Sequence, residues 1–226
     1  MSDETTIAIP SGGDARAFLS LPGGEARVPA LLVVHEWWGI NDDIRAICDR
    51  FASEGIAALA IDLYGGKSTA DPAEAMQLVT DMKTADAMQV VAGGLAFLRA
   101  HPRCNGNVGV TGFCLGGAMA IAAACTVPGV GAAVPFYGVP KAEFVDFTAP
   151  RPPILGHYGA KDGSIPPERV QPVVDQANAS GNRFELCMYD AGHAFMRAGD
   201  PNAYEPKSAA LAWERTIAFL KKELAG

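Results

Sequence analysis

Histidine is scarce in this 226-residue chain, with only four copies at His35, His101, His157 and His193, so chemistry that needs an imidazole has few places to sit. The five cysteines, Cys48, Cys104, Cys114, Cys125 and Cys187, are odd in number and include no CxxC pair. That pattern argues against a disulfide framework or a thiol-rich zinc site and fits thiols in a reducing compartment. Basic residues are outnumbered, 18 Lys and Arg against 25 Asp and Glu, for a formal net charge of −7. Nucleic acid and anionic membranes both recruit clustered Lys and Arg, so neither is an expected partner. Also missing is any uninterrupted apolar run near the roughly 20 residues of a membrane span. The chain opens Met1-Ser2-Asp3-Glu4, acidic where a secretory leader would be basic and then apolar, and the expected location is cytoplasmic. No internal repeat, low-complexity tract or linker divides it, so one domain over residues 1–226 is expected. A small-molecule role is left standing, with no preference among oligomeric states and a monomer compatible with everything above.

What is present is an alternation of apolar strands and amphipathic helices. Thr5 to Pro10 and Ala15 to Leu21, separated by Ser11-Gly12-Gly13-Asp14, read as a hairpin at a sheet edge. Ala30 to His35 and Ile56 to Ile61 are near-continuous apolar runs, as in strands buried on both faces. Between them, Asn41-Asp42-Asp43 starts a helix that Gly55 stops. Met88, Val91, Leu95 and Leu98 mark a helix stripe. Further strands are expected at Asn107 to Thr111, Val130 to Tyr137, Pro153 to Tyr158 and Arg183 to Tyr189, with helices at Pro167 to Ala179 and from Pro206 onward. The fold class is therefore α/β, a mostly parallel central sheet with helices on both faces and an N-terminal antiparallel edge.

The most informative segment is Gly112-Phe113-Cys114-Leu115-Gly116-Gly117, between a short apolar run and the small-residue helical run Ala118 to Cys125. Strand, glycine turn and helix with a thiol at the apex describe a nucleophile elbow. The helix N-terminus favours the thiolate there through its unpaired N–H groups.

A thiol nucleophile needs a base and a group that holds the base in one tautomer. His193 follows the strand ending at Tyr189, and Asp162 follows the strand ending at Tyr158, so both belong to the same sheet edge as Cys114. The order Cys114, Asp162, His193 is the nucleophile, acid, histidine order of the α/β-hydrolase fold. Glu36 ends the Ala30 to His35 strand in a loop expected to face the elbow, where the N–H groups of Trp37 and Leu115 form an oxyanion hole. The Glu36 carboxylate has four readings: base for the thiol, sensor of substrate, repulsive neighbour that keeps the thiol protonated, or surface acid. Arg197, four residues after His193, suits a substrate carboxylate if that segment is tightly turned. Trp37, Trp38, Tyr64, Phe113 and Phe195 are expected as site walls, and His35, His101 and His157 as structural histidines.

On the Glu36 loop, the Cys114 elbow, Phe136-Tyr137-Gly138, the Asp162 turn and Ala191-Gly192-His193-Ala194-Phe195 with Arg197, the chain resembles the dienelactone hydrolase family from about Ala15 to the last helix. The resemblance implies a Cys114–His193–Asp162 triad, Glu36 interacting with the thiol, and hydrolysis of an enol-lactone such as carboxymethylenebutenolide. It also implies no metal and no organic cofactor. The best-known members of the family carry a further arginine after the position of the Tyr64 loop, whereas Gly65 to Ala87 offers only Lys67 and Lys83. A lysine acting as a point charge, and a substrate that is some other ester or lactone, are both left open by that difference. A broader esterase or thioesterase, or a non-catalytic relative, are the alternative classes.

Overall fold

The computed structural model describes residues 1–225. Eight strands form one sheet: β1 (Ser2–Ala8), β2 (Asp14–Ser20), β3 (Val28–Val34), β4 (Ala57–Ile61), β5 (Cys104–Phe113), β6 (Ala133–Phe136), β7 (Ile154–Gly159) and β8 (Phe184–Tyr189). Their spatial order is β1-β2-β4-β3-β5-β6-β7-β8. The β1–β2 and β2–β4 pairs are antiparallel and the remainder parallel. Sequence patterning anticipated this edge hairpin and parallel core.

Six α-helices alternate with the strands: α1 (Asp42–Ser53), α2 (Pro72–Asp81), α3 (Thr84–Ala100), α4 (Leu115–Thr126), α5 (Pro167–Ala179) and α6 (Pro206–Glu223). Their starts carry the expected chemistry. Asn41 caps α1 by accepting from the Ile44 N–H at 3.1 Å. Asp71 caps α2 ahead of Pro72 and Glu205 caps α6 ahead of Pro206, each proline sitting where its missing N–H has no partner to lose. Because successive strand residues face opposite sides, Leu32 and Val34 of β3 pack with α3 and α4, and Leu31 and Val33 with α1 and α6. The sheet is thus covered on both faces, as a parallel sheet must be.

Three strands have a boundary three residues away from the sequence expectation. The first strand runs from Ser2 rather than Thr5, pairing Ser2 with Ser20 at its far end. β5 starts at Cys104, since its polar Asn105-Gly106-Asn107 stretch continues the ladder past an irregularity opposite Val28 to Ala30. β6 is shorter than Val130 to Tyr137, ending at Phe136 because Tyr137 takes φ 38° and turns the chain away. That turn, like those after β3, β5, β7 and β8, lies at the carboxyl edge of the parallel strands, where doubly wound sheets place their ligands.

Candidate active site

Cys114 occupies the junction of β5 and α4 with φ 53° and ψ −110°, backbone angles that an L-residue holds only when its surroundings enforce them. Two glycines make the junction possible. A Cβ on Gly112 would collide with the Gly116 backbone, and one on Gly116 with the Val34 and His35 carbonyls. The helix therefore approaches the sheet more closely than any side chain permits. Within the junction, Cys114 donates its backbone N–H to Phe136 O at 3.0 Å and accepts from the Ala118 N–H at 3.1 Å. Two further non-glycine residues with positive φ, Tyr137 and Ala194 at 58°, stand beside the same opening.

His193 follows β8 and is oriented by Asp162, which follows β7. Asp162 Oδ2 lies 2.7 Å from His193 Nδ1, and Oδ1 accepts the Ser164 and Ile165 N–H groups at 2.8 Å each. Burial by itself would raise the carboxyl, whose side chain is 0% exposed, but the bonds from His193 and the two amides hold it below the usual carboxylate range. Burial also opposes the His193 imidazolium. It is outweighed by the bond to Asp162 and by Cys114 alongside, and the histidine is pushed up to about 10. Asp162 is thus far more than a turn residue: it fixes the proton on Nδ1 and leaves Nε2 for the cavity.

Glu36 is only 5% exposed, which disposes of the surface-acid reading. Tyr137 donates its phenolic hydrogen to Glu36 Oε1 at 3.2 Å, and Arg197 Nη1 lies 3.4 Å from Oε2. Burial pushes this carboxyl up, against the pull of Arg197, Tyr137 and His193. No hydrogen bond joins Glu36 to Cys114 among the described residues. Arg197 also bonds Asp200, and its guanidinium lies 5.3 Å from the Trp38 ring centroid. Since its N–H donates to Ala194 O at 2.9 Å, the segment after His193 is tightly turned and brings both side chains to one cavity. Leu115, the first residue of α4, and Trp37, after Glu36, each have a backbone N–H with no acceptor among the described residues.

The cavity holds about 660 Å³. Cys114, His193, Arg197, Trp37, Trp38 and Tyr137 line it, together with Met76 and Val79 of α2 and Arg169 of α5. Three of the five expected wall aromatics do not line it. Phe113 and Phe195 are fully buried, Phe113 stacking on Phe136 at 4.7 Å and Phe195 lying 5.2 Å from the Tyr189 ring. Tyr64 packs on the His35 ring at 4.9 Å. Neighbouring glycine turns carry the chain past the cavity while these rings fill the core beneath it.

Neither lysine stands where the expected arginine would be. Lys67 lies in a separate depression with Glu4, Arg16 and Asp62, and Lys83 precedes α3 without reaching the cavity wall. The second guanidinium is that of Arg169, whose Nη1 donates to Ser164 O at 3.0 Å. Sequence reasoning missed it, because Arg169 looks like any exposed residue of a helix's first turn. The remaining histidines are structural. His35 donates through Nδ1 to Glu36 O at 2.5 Å and accepts from the Leu63 N–H at 3.1 Å. His157 is buried between Tyr189 and Thr216, and burial pushes it down to about 3. His101 accepts from the Arg103 N–H at 3.2 Å. Among the described residues, no group of three or more His, Cys, Asp or Glu is placed to hold a metal ion, and no helix is long and apolar enough to cross a membrane.

The eight-stranded sheet, with the Cys114 turn after β5 and Asp162 and His193 after β7 and β8, has the α/β-hydrolase fold. Residues 15–224 match the profile of the dienelactone hydrolase family, and the chain belongs to that family. It is 34% identical to Protein usf of Aquifex pyrophilus, over 95% of this chain and 96% of that one. It is 31% identical to the carboxymethylenebutenolidase of Pseudomonas sp. (strain P51), over 98% and 96%. Among solved structures, a protein of Klebsiella pneumoniae named "Putative Dienelactone Hydrolase" superposes with a TM-score of 0.88 at 29% identity, covering 98% of both chains. The protein is accordingly a hydrolase of ester or lactone bonds.

Proposed function

We propose that the protein opens an anionic enol-lactone of the carboxymethylenebutenolide type, with Cys114 as nucleophile and a thioester intermediate. The observation that supports this reading is the convergence on one cavity of a thiol at a helix N-terminus, a histidine held by a buried carboxylate and two guanidinium groups. The substrate carboxylate sits against Arg197 and Arg169. With its proton held on His193, the Cys114 thiolate attacks the lactone carbonyl while the Trp37 and Leu115 N–H groups hold the oxyanion, each donor worth about 3 kcal/mol in the transition state. Collapse breaks the ring C–O bond, and the departing enolate oxygen takes the proton from His193 Nε2. Water then gives a proton to His193 and attacks the thioester, and the second tetrahedral intermediate expels Cys114. Glu36 is a positioning residue in this scheme, holding Arg197 and the Tyr137 hydroxyl at the cavity wall.

A broader esterase is the second reading, favoured by the apolar Met76 and Val79 of α2 in the cavity lining. Hydrolysis of cis- and trans-dienelactone beside a neutral aryl ester tests both, with Cys114→Ala in parallel. Lactone turnover that falls about a millionfold in Cys114→Ala is the expected result. Full activity of that variant on every substrate would overturn the cysteine mechanism, and Cys114-dependent turnover of the neutral ester alone would move the assignment to a general esterase.

A further inference from the structure

Behind the reaction cavity lies a second compartment of about 370 Å³, and Val79, Leu115, Ala118 and Val139 wall both spaces. Its floor is a stripe along α4 formed by Leu115, Ala118, Met119 and Ala122, spaced as helix neighbours on one face. From Leu115 to Ala122 that stripe is about 10 Å long. Met82, Phe144 and Pro140 close the other sides, and Lys141 is the one charged residue of the lining. A largely apolar groove of this size joined to a reaction site gives an apolar ligand a second place to bury its surface. The reaction cavity is already large enough for a small ring on its own.

We infer that this compartment binds an apolar acyl chain, and that the enzyme therefore also cleaves esters or thioesters of medium-chain carboxylic acids. The direction follows from the chemistry. The leaving-group oxygen must lie toward His193, which protonates it. His193, Arg197 and Ser164 line the reaction cavity and not the second compartment. With the carbonyl held at the Leu115 N–H, the acyl portion points down α4, away from the histidine and past Ala118. The inference rests on the Cys114 hydrolase reading for its chemistry but not for its binding site.

The test is kcat/KM for p-nitrophenyl acetate, butyrate, hexanoate, octanoate and decanoate, with wild type, Ala122→Leu and Thr84→Phe. Burying a methylene is worth up to about fourfold, and a rise of at least tenfold from acetate to octanoate is expected. Either substitution fills the compartment and should lower the octanoate-to-acetate ratio at least tenfold. Thr84 opens α3 on the compartment wall, so its variant covers the case in which Ala122→Leu does not fold. A flat or falling wild-type series, or ratios unchanged in folded variants, would overturn the inference. If wild type hydrolyses no ester of any length, the cleavage part of the inference is overturned, and the lactone reading stands or falls on its own dienelactone assay. Calorimetric titration with octanoate then reads the compartment alone, with binding lost in Thr84→Phe expected and no binding to wild type decisive against it.

Discussion

Arg197 Nη1 lies 3.4 Å from Glu36 Oε2, so a buried carboxylate and one of the cavity's two guanidinium groups share one environment. Asp200 takes another N–H of the same group, whose side chain is 18% exposed. A guanidinium has five N–H donors in a fork, which leaves donors for a substrate carboxylate after both partners are served.

Removing either cavity arginine therefore separates charge recognition from structure. Arg197→Ala is expected to raise KM for an anionic lactone about tenfold, to leave a neutral ester within about twofold, and to destabilise the fold by about 1–3 kcal/mol as Glu36 loses its cation. Arg169→Ala should give the same lactone-specific rise with stability changed by no more than about 0.5 kcal/mol, because Arg169 is exposed. Parallel kinetics and urea melts read both. Equal losses on neutral and anionic substrates would refute charge recognition.

Asp162→Asn keeps the shape of the acid and changes what it can accept. An amide that donates to His193 Nδ1 imposes the other tautomer and takes the base away from the substrate, so kcat should fall by about ten-thousandfold with KM nearly unchanged. The folded state, checked by near-UV circular dichroism, should persist. A loss below tenfold would mean that His193 does not act through its Nε2.

The mostly parallel sheet with its antiparallel edge, the elbow and the Asp162–His193 partnership were legible because each is carried by local pattern: apolar runs, glycines at fixed offsets, and a polar residue just past a strand. The placement of Glu36 was legible only to the extent of its loop, since its burial depends on Tyr137 and Arg197, 101 and 161 residues away. Arg169 and the α4 compartment left no trace in the sequence. A first-turn arginine and a run of alanines read the same whether they face solvent, core or cavity, and only the packing of α2 and Phe144 decides which. For the same reason Phe113 and Phe195 looked like cavity walls while the structure buries them.

Gly116→Ala probes the steric origin of the elbow. The added methyl would run into the Val34 and His35 carbonyls, which are backbone of the central strand and its loop and cannot rotate away. A destabilisation of about 4 kcal/mol or more is expected from the denaturation midpoint, with soluble protein scarce. Gly163→Ala is the control, since its Cβ would enter open space at a position without positive φ, and a change within about 0.5 kcal/mol is expected. Similar outcomes for the two would remove the close-approach argument.

The His193 titration gives the pH prediction. Its native-state value near 10 stands above the ordinary histidine value of about 6.5. Between those two values the native state holds a proton that the unfolded chain has released, so stability falls as pH rises. The contribution is complete below about pH 6.5 and is lost as pH passes about 10. The melting temperature of wild type should therefore exceed that of His193→Gln by more at pH 7 than at pH 10.5. In Cys114→Ser the neighbouring sulfur that helps raise His193 is gone, and the imidazole resonance should titrate nearer 6.5. A wild-type resonance that itself titrates near 6.5 would show that Asp162 and Cys114 do not outweigh burial at this site.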